Sequence, residues 1–301
     1  MDTPTALGEF LRNRRAQLRP EDVGLPAHGR RRVPGLRREE LALIAGVSIT
    51  YYTHLEQGQS TNASDSVLDA LGRALRLTPD EHTHLRNLAR PPRTHRVASS
   101  VPERVRDTTR RLLKAMPDVP AVVLDRRNDV LAWNPLGHAL LAGHLDPASP
   151  EDPENRPNLT RMLFLDPHTR DLYVNWRDEA RISLAALRLV AGRCPEDRAL
   201  AELIGSLMIQ SEDFADLWAE HPVRDCTTGS RALRHPVVGA LTLDFENLRL
   251  SDGTGHRMLV YTAPEDSPAE AALRLLSTTL HSDHSDHSDR SDHSEASGEA
   301  R

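Results

Sequence analysis

Residues 38–57 read REELALIAGVSITYYTHLEQ, and this stretch predicts two short helices that meet at a tight turn. Ala42 and Ala45 are small enough to let the helices approach closely, and Gly46 can adopt the positive φ that such a turn requires. Ser48 is placed to cap the second helix, because its hydroxyl can accept a hydrogen bond from an early backbone N–H. The arrangement is typical of a helix-turn-helix, although an ordinary helical hairpin would share part of it.

The second of these helices is expected to have an inner and an outer face. Tyr52 and Leu55 are three residues apart and are expected to point into the core. The opposite face at the start of the helix is the part that a recognition helix presents to base edges in the major groove. The residues predicted to contact bases are therefore Ile49, Thr50, Tyr51 and His54.

Helical patterns continue on both sides of this stretch. Residues 5–90 read as five short helices, which predicts an all-α helix-turn-helix domain over residues 1–92. The loop before the motif contains three consecutive arginines, which suit contacts with phosphates rather than with bases. A loop that is merely solvated is the alternative. The residues predicted to contact the DNA backbone are Arg30, Arg31, Arg32, Arg38 and Ser48.

Charge is distributed unevenly along the chain. Residues 1–96 contain 15 arginines and 11 acidic residues, whereas residues 97–301 carry a net charge of −10 within an overall charge of −6. A basic N-terminal segment followed by an acidic remainder is typical of a DNA-binding module joined to a separate domain. Chance clustering is the alternative, because the excess of positive charge in residues 1–96 is modest.

Several other classes of protein are disfavoured. No apolar run approaches the ~20 residues of a membrane span, and the N-terminus lacks the features of a signal peptide, so a cytoplasmic location is expected. Cys194 and Cys226 form no metal-binding pattern and are expected to be reduced thiols. The sequence contains no nucleophile-elbow, dinucleotide-binding, phosphate-loop or HExxH motif, and residues 251–256 read as a hairpin turn. We therefore predict no catalytic residue, metal ligand or cofactor, and an enzyme with a DNA-targeting head is the disfavoured alternative.

The sequence pattern changes after a proline-containing linker at residues 93–104. Strand-like runs at residues 121–124, 130–133, 236–250 and 258–262 alternate with helical patterns, so residues 105–280 are predicted to form an α+β domain. The predicted helices of this domain cover residues 105–115, 135–145, 158–165, 174–192, 197–210, 212–221 and 268–280.

The last segment, residues 281–301, repeats His-Ser-Asp and has almost no apolar side chains. Such a segment cannot form a core, so we predict a disordered tail. Metal binding by the tail is the alternative, and it would use His281, His284, His287 and His293.

Residues 33–58 resemble the helix-turn-helix of the xenobiotic-response-element (XRE, Cro/CI-type) regulators. The resemblance is to the actinobacterial branch with an MmyB-like C-terminal region, and it covers about residues 5–280. His54 stands where members of this family often have arginine, so base preference at that position should differ. Similar blocks in the C-terminal region lie at residues 120–134, 158–167, 214–221 and 233–243, and at Trp176 with the helix predicted after it.

The resemblance implies that the second domain has a PAS-like fold and binds a small apolar or fatty-acid-like ligand. The residues themselves support this less directly, because large side chains in a chain with 4% aromatic residues could line a pocket or simply pack in the core. The pocket candidates are Trp133, Phe164, Trp176, Trp218 and His235, and the candidates for contact with a ligand carboxylate are Arg177, His221 and His235.

Together these features predict a transcription regulator that binds a roughly palindromic double-stranded DNA operator as a homodimer. Its second domain would sense a small-molecule ligand and shift the population that is competent to bind DNA. The alternative is a DNA-bound adaptor whose second domain binds no metabolite and recruits a protein partner such as RNA polymerase.

Overall fold

The computed structural model describes residues 6–26, 35–59, 63–89, 104–223, 227–251 and 254–280. The predictions for the loop arginines, for one cysteine and for the tail fall outside these ranges. The residues concerned are Arg30, Arg31, Arg32, Cys226, His281, His284, His287 and His293.

Helices form most of the described chain. Two short 3₁₀ turns occur at Pro20–Val23 and Ser149–Glu151. Among the described residues, no helix is both long enough and apolar enough to cross a membrane. In chain order the α-helices are α1 (Ala6–Gln17), α2 (Arg38–Ala45), α3 (Ile49–Glu56), α4 (Asp65–Ala74), α5 (Pro79–Ala89), α6 (Asp107–Lys114), α7 (Pro135–Ala142), α8 (Leu159–Leu165), α9 (Pro167–Leu172), α10 (Trp176–Arg193), α11 (Arg198–Gln210), α12 (Glu212–Ala219) and α13 (residues 268–280).

The chain forms two compact units, and neither is continuous in sequence. The first unit comprises Met1–Ala98, Leu184–Ser206 and Ala215–Asp225. The second unit comprises Ser99–Ser183, Leu207–Phe214 and Cys226–Arg301.

The first unit has one apolar core formed by the inner faces of its helices. Leu11, Leu41, Tyr52 and Leu55 are completely excluded from solvent within this core. The predicted inward orientation of Tyr52 and Leu55 is therefore confirmed.

Two segments that the sequence analysis assigned to the second domain contribute to the same core. Leu189 and Val223 are buried together with the side chains of α1–α5. Gly192 lies so close to the ring of His84 that an added Cβ would come within 2.6 Å of its Cε1 atom. The sequence analysis divided the chain at a single linker, residues 93–104. The contacts of Leu189, Val223 and Gly192 instead assign residues from beyond that linker to the first unit.

The second unit contains one antiparallel sheet with the strand order β2-β1-β5-β4-β3. On β4, Leu241, Leu243 and Phe245 are buried and alternate with exposed residues, as the sequence predicts for a strand with one covered face. The strands are β1 (Ala121–Leu124), β2 (Val130–Trp133), β3 (Thr228–His235), β4 (Gly239–Arg249) and β5 (Arg257–Thr262).

Helices cover parts of both faces of this sheet. Leu140 of α7 and Leu273 of α13 pack in one cluster with the inward residues of β4. Leu113 of α6 packs in a second cluster with Val123 and Val260. Because β1 is covered on both faces, all four of its residues are buried.

The predicted second domain is wrong in several details, and one of them is that α9 at Pro167–Leu172 was not predicted as a helix. β3 was not predicted, because few of its eight residues are apolar and only Leu233 and His235 are buried. Residues 236–238 form the turn between β3 and β4 and are not the start of a strand. α7 ends at Ala142, three residues before the predicted end at Leu145.

Candidate functional site

The turn between α2 and α3 has the predicted local geometry. Gly46 adopts a φ of 66°, and its N–H is hydrogen-bonded to carbonyls at the end of α2. The Ser48 hydroxyl accepts a hydrogen bond from the backbone N–H of Tyr51 at 3.1 Å, so Ser48 is the N-cap of α3. These local interactions orient the start of α3.

The outer face of α3 carries the residues predicted to contact bases. Thr50 and His54 are exposed, Ile49 is 47% exposed and Tyr51 is half-buried against the core. Leu43, on the preceding helix, is 75% exposed. The start of α3 therefore presents a mixed polar and apolar surface to solvent.

A buried carboxylate that the sequence analysis missed lies beneath this surface. Glu56 is completely buried at the end of α3 and accepts hydrogen bonds from Arg15 Nε at 2.7 Å and from the Tyr52 hydroxyl at 2.7 Å. Arg38 Nε is 2.6 Å from its other oxygen. The signal was present in the sequence, because Glu56 follows Tyr52 by four residues and is on the inner face of α3.

The environment of Glu56 keeps it ionised. Burial alone would raise the pKa of Glu56, but the hydrogen bonds from Arg15, Tyr52 and Arg38 outweigh burial and hold it below its ordinary value. Burial, together with the contact with Glu56, raises the pKa of the Tyr52 hydroxyl. The group therefore contains a carboxylate with two guanidinium partners and one neutral phenol.

This network also positions Arg38, which was predicted to contact a DNA phosphate. Its side chain remains 42% exposed while its Nε is held by Glu56. Such an ion pair restricts the rotamers of a flexible arginine at the start of α2. The structure thus shows an anchored, partly accessible guanidinium beside the motif.

A second group of interacting side chains in the first unit includes His221 and Trp218, both of which were predicted for the ligand site. Arg14 donates to the backbone oxygen of His221 at 2.7 Å and pairs with Glu81 at 3.0 Å. Arg188 donates to His221 Nδ1 at 3.1 Å and stacks over the Trp218 ring at 3.9 Å. Burial and the neighbouring charges of Arg188 and Arg14 lower the pKa of His221 to about 4, so its ring is neutral at pH 7.

In the second unit, the other predicted pocket residues lie in separate environments. Phe164 and Trp176 are in contact, with ring centroids 5.7 Å apart. Trp133 packs on His138 at 4.8 Å instead. His235 is buried with its Nε2 2.9 Å from the backbone oxygen of Ala139. Of the four candidates in the second unit, Phe164 and Trp176 are in contact with each other, whereas Trp133 and His235 have other partners. Arg177 is exposed.

Two grooves in the second unit, each of about 430 Å³, are formed by residues that the sequence analysis did not select. One groove lies along β3 and β4 beside the start of α13, and its lining is largely apolar. The other lies between the end of β5 and α13 and includes Glu270 and Arg274. The first groove is lined by Val174, Ala232, Leu233, Ala240, Leu241, Thr242, Asp244, Pro264, Ser267, Pro268 and Ala269.

Comparison with known protein families identifies a helix-turn-helix domain and a ligand-binding domain in this chain. No curated protein matches the chain significantly. A family model described as a helix-turn-helix domain matches residues 6–85, which include α2, the turn and α3. A second, described as the MmyB-like transcription regulator ligand binding domain, matches residues 105–276 and so covers more than half of the chain. The chain therefore belongs to the MmyB-like transcription regulators, as a DNA-binding protein with a helix-turn-helix domain and a ligand-binding domain.

Proposed function

We propose that this regulator is of the XRE type and recognises a specific operator by placing the start of α3 in the major groove. The observation that carries the proposal is the division of α3 into a buried face with Tyr52 and Leu55 and an exposed face with Thr50 and His54. Ile49 and Tyr51 complete the proposed base-contacting set. Their apolar atoms suit contact with thymine methyl groups.

Backbone contacts are proposed for residues that flank this surface. Arg38 is anchored by Glu56 with part of its guanidinium accessible, and Ser48 lies at the N-terminus of α3, where helix dipoles favour phosphate. The motif class supports binding as a homodimer to a pseudo-palindromic site. Arg30, Arg31 and Arg32 remain sequence-based candidates for further phosphate contacts.

The double substitution Thr50→Ala/His54→Ala is expected to weaken specific DNA binding by at least about tenfold, because a good base contact contributes about 1–3 kcal/mol. Both residues are exposed, so the fold should be unaffected. Operators would first be selected from a random duplex pool with the unmodified protein, and affinities then measured at fixed salt concentration.

Thr83→Ala provides a control for that experiment. Thr83 is also exposed on a helix of the first unit, but it lies on α5 and its hydroxyl bonds to Pro79 within that helix. Its replacement should leave operator affinity unchanged. Failure of the unmodified protein to enrich any sequence, or equal affinity of the double variant, would refute base recognition by α3.

We further propose that the ligand-binding domain is PAS-like and takes a small apolar or fatty-acid-like molecule. The antiparallel strand order β2-β1-β5-β4-β3 with helices against the sheet supports the PAS-like assignment. The groove along β3 and β4 supports the ligand class, because it is mostly apolar and its volume is within the roughly 300–1,000 Å³ of small-molecule sites. Phe164 and Trp176, whose rings are in contact, are a second candidate for an apolar ligand contact.

Thr242→Trp is expected to abolish stabilisation of the protein by a saturated C14 fatty acid. Thr242 lines the groove and is exposed, so an indole there would occupy the groove without disturbing the core. The readout is the rise in Tm with fatty acid, which the unmodified protein should show.

Leu248→Trp is the matched control for the groove. Leu248 is also on β4 and 48% exposed, but it lies outside the groove lining. This variant should respond to the fatty acid like the unmodified protein. If the unmodified protein shows no response, the alternative of an adaptor that recruits a protein partner such as RNA polymerase is favoured.

The first unit also suggests how ligand binding could affect DNA binding. Within it, segments from the ligand-binding domain pack with the helices of the DNA-binding domain through Leu189, Val223 and the contact of Arg14 with His221. A ligand that favours one arrangement of these segments would shift the DNA-competent population by no more than its difference in affinity for the two arrangements.

A further inference from the structure

Two histidines converge on one carboxylate in the second unit. His144 Nε2 lies 2.7 Å from Asp166 Oδ2, and His168 Nδ1 lies 3.3 Å from Asp166 Oδ1. The two imidazole rings stack, with centroids 4.4 Å apart and planes 12° from parallel. Each residue offers a ligand atom, and all of these atoms lie within 4.8 Å of one another.

Asp166 is held rigidly as the central group of this cluster. It is the N-cap of α9, where Oδ1 accepts the backbone N–H of His168 at 3.0 Å. Its Oδ2 accepts the hydroxyl of Thr169 at 2.8 Å. These two hydrogen bonds orient the carboxylate before any ion arrives.

The chemistry of these groups matches a known class of metal site. Two imidazole nitrogens and one carboxylate oxygen are ligands typical of zinc and neighbouring divalent transition metals. Ligand atoms about 2.0–2.1 Å from a tetrahedral ion are separated by ~3.3 Å. His144 and His168 approach different oxygens of Asp166, at 2.7 and 3.3 Å. One ligand atom from each residue lies within 4.8 Å of the other two, so side-chain movements would be needed to bring all three to coordination distance.

We propose that His144, Asp166 and His168 bind a zinc-like divalent transition-metal ion. His144 follows the C-terminus of α7 and the other two ligands are at the N-terminus of α9, so the ion would connect two elements that are separated in the chain by a segment containing α8. The Thr169 hydroxyl would orient the ligating carboxylate. The side chain of His168 is 70% exposed, which leaves the remaining coordination position open to water.

The test must separate this site from the histidines of the tail. Zinc would be titrated calorimetrically into the full-length chain with His281, His284, His287 and His293 all replaced by serine. One equivalent should bind and raise the Tm. Adding His144→Gln and His168→Gln should weaken zinc binding at least tenfold or abolish it, and should remove the Tm shift.

Two further variants serve as controls. His82→Gln should have no effect, because His82 pairs with Asp69 at 3.2 Å but has no second histidine in the described metal-ligand groups. Asp166→Asn keeps a capping oxygen for α9 while removing the charge, so it should weaken zinc binding with little loss of stability without metal. The proposal is overturned if the tail-substituted protein binds no zinc, or if His144→Gln/His168→Gln leaves the titration unchanged.

Discussion

Glu56→Ala is expected to lower the free energy of unfolding of the first unit by about 3–5 kcal/mol, the usual cost of removing one partner from a buried ion pair. The substitution would leave Arg15, whose side chain is only 12% exposed, and the Tyr52 hydroxyl without their shared acceptor. It would also release Arg38. Hydrogen exchange of peptides from α1 and α3, measured by mass spectrometry, would report the loss in the first unit specifically.

Glu39→Ala is the matched control for this experiment. Glu39 is 60% exposed and pairs with Arg37 at 3.4 Å, so its removal should cost no more than about 1 kcal/mol. Similar exchange rates in both variants would show that the Glu56 network does not stabilise the helix-turn-helix.

The contribution of Glu56 should depend on pH. Its pKa in the folded protein is below the ordinary value of 4.5, so its ionised form stabilises the fold fully above that value. As the pH falls through the folded pKa, the carboxylate becomes protonated and its stabilising effect is lost. The difference between the unmodified protein and Glu56→Ala should therefore be full at pH 7 and narrow below about pH 4.5.

Asn134→Ala is expected to destabilise the second unit by about 3–5 kcal/mol, because it removes four hydrogen bonds and leaves buried groups unpaired. Asn134 Oδ1 accepts the N–H groups of Ala121 at 3.0 Å and Gly137 at 2.8 Å. Its Nδ2 donates to the carbonyls of Met116 at 2.6 Å and Val119 at 2.7 Å. One side chain thus joins the start of β1, the cap of α7 and the preceding turn.

Two comparisons make this second prediction specific. Asn155 is exposed and donates to Asp152 at 2.8 Å, so Asn155→Ala should cost well under 1 kcal/mol. Asn134→Asp keeps the acceptor that caps α7 but replaces the donor, so its effect should be large as well. Thermal unfolding followed by exchange in peptides of β1 and α7 would measure both. An Asn134→Ala protein as stable as Asn155→Ala would contradict the structural account.

The helix-turn-helix was predictable because its determinants are local. The positive φ of Gly46 and the Ser48 cap concern residues within one or two turns of each other, and the same holds for the inward spacing of Tyr52 and Leu55. Glu56 shows where such reasoning stops. Its partner Arg15 lies 41 residues earlier, and only the packing of α1 against α3 brings them together.

The ligand-binding domain was less predictable, because the groove along β3 and β4 is lined by residues that lie far apart in the chain. The hairpin of β1 and β2 is confirmed, since a short apolar strand, a turn and a second strand are read locally. β3 has too few apolar residues to be recognised alone, and it becomes a strand by pairing with β4. The groove between β3, β4 and α13 therefore has no signature in any one stretch of sequence.

The sequence by itself determined the family, the second helix of the motif with its exposed residues, and the α+β character of the second domain, because each rests on short-range periodicity, caps and motifs. Only the tertiary structure decided that Leu184–Ser206 and Ala215–Asp225 pack with the N-terminal helices, and that His144 meets Asp166 across an intervening segment that contains α8. These pairings arise from burial of apolar faces between elements far apart in the chain. Burial is nondirectional, so neither spacing nor composition encodes its partners.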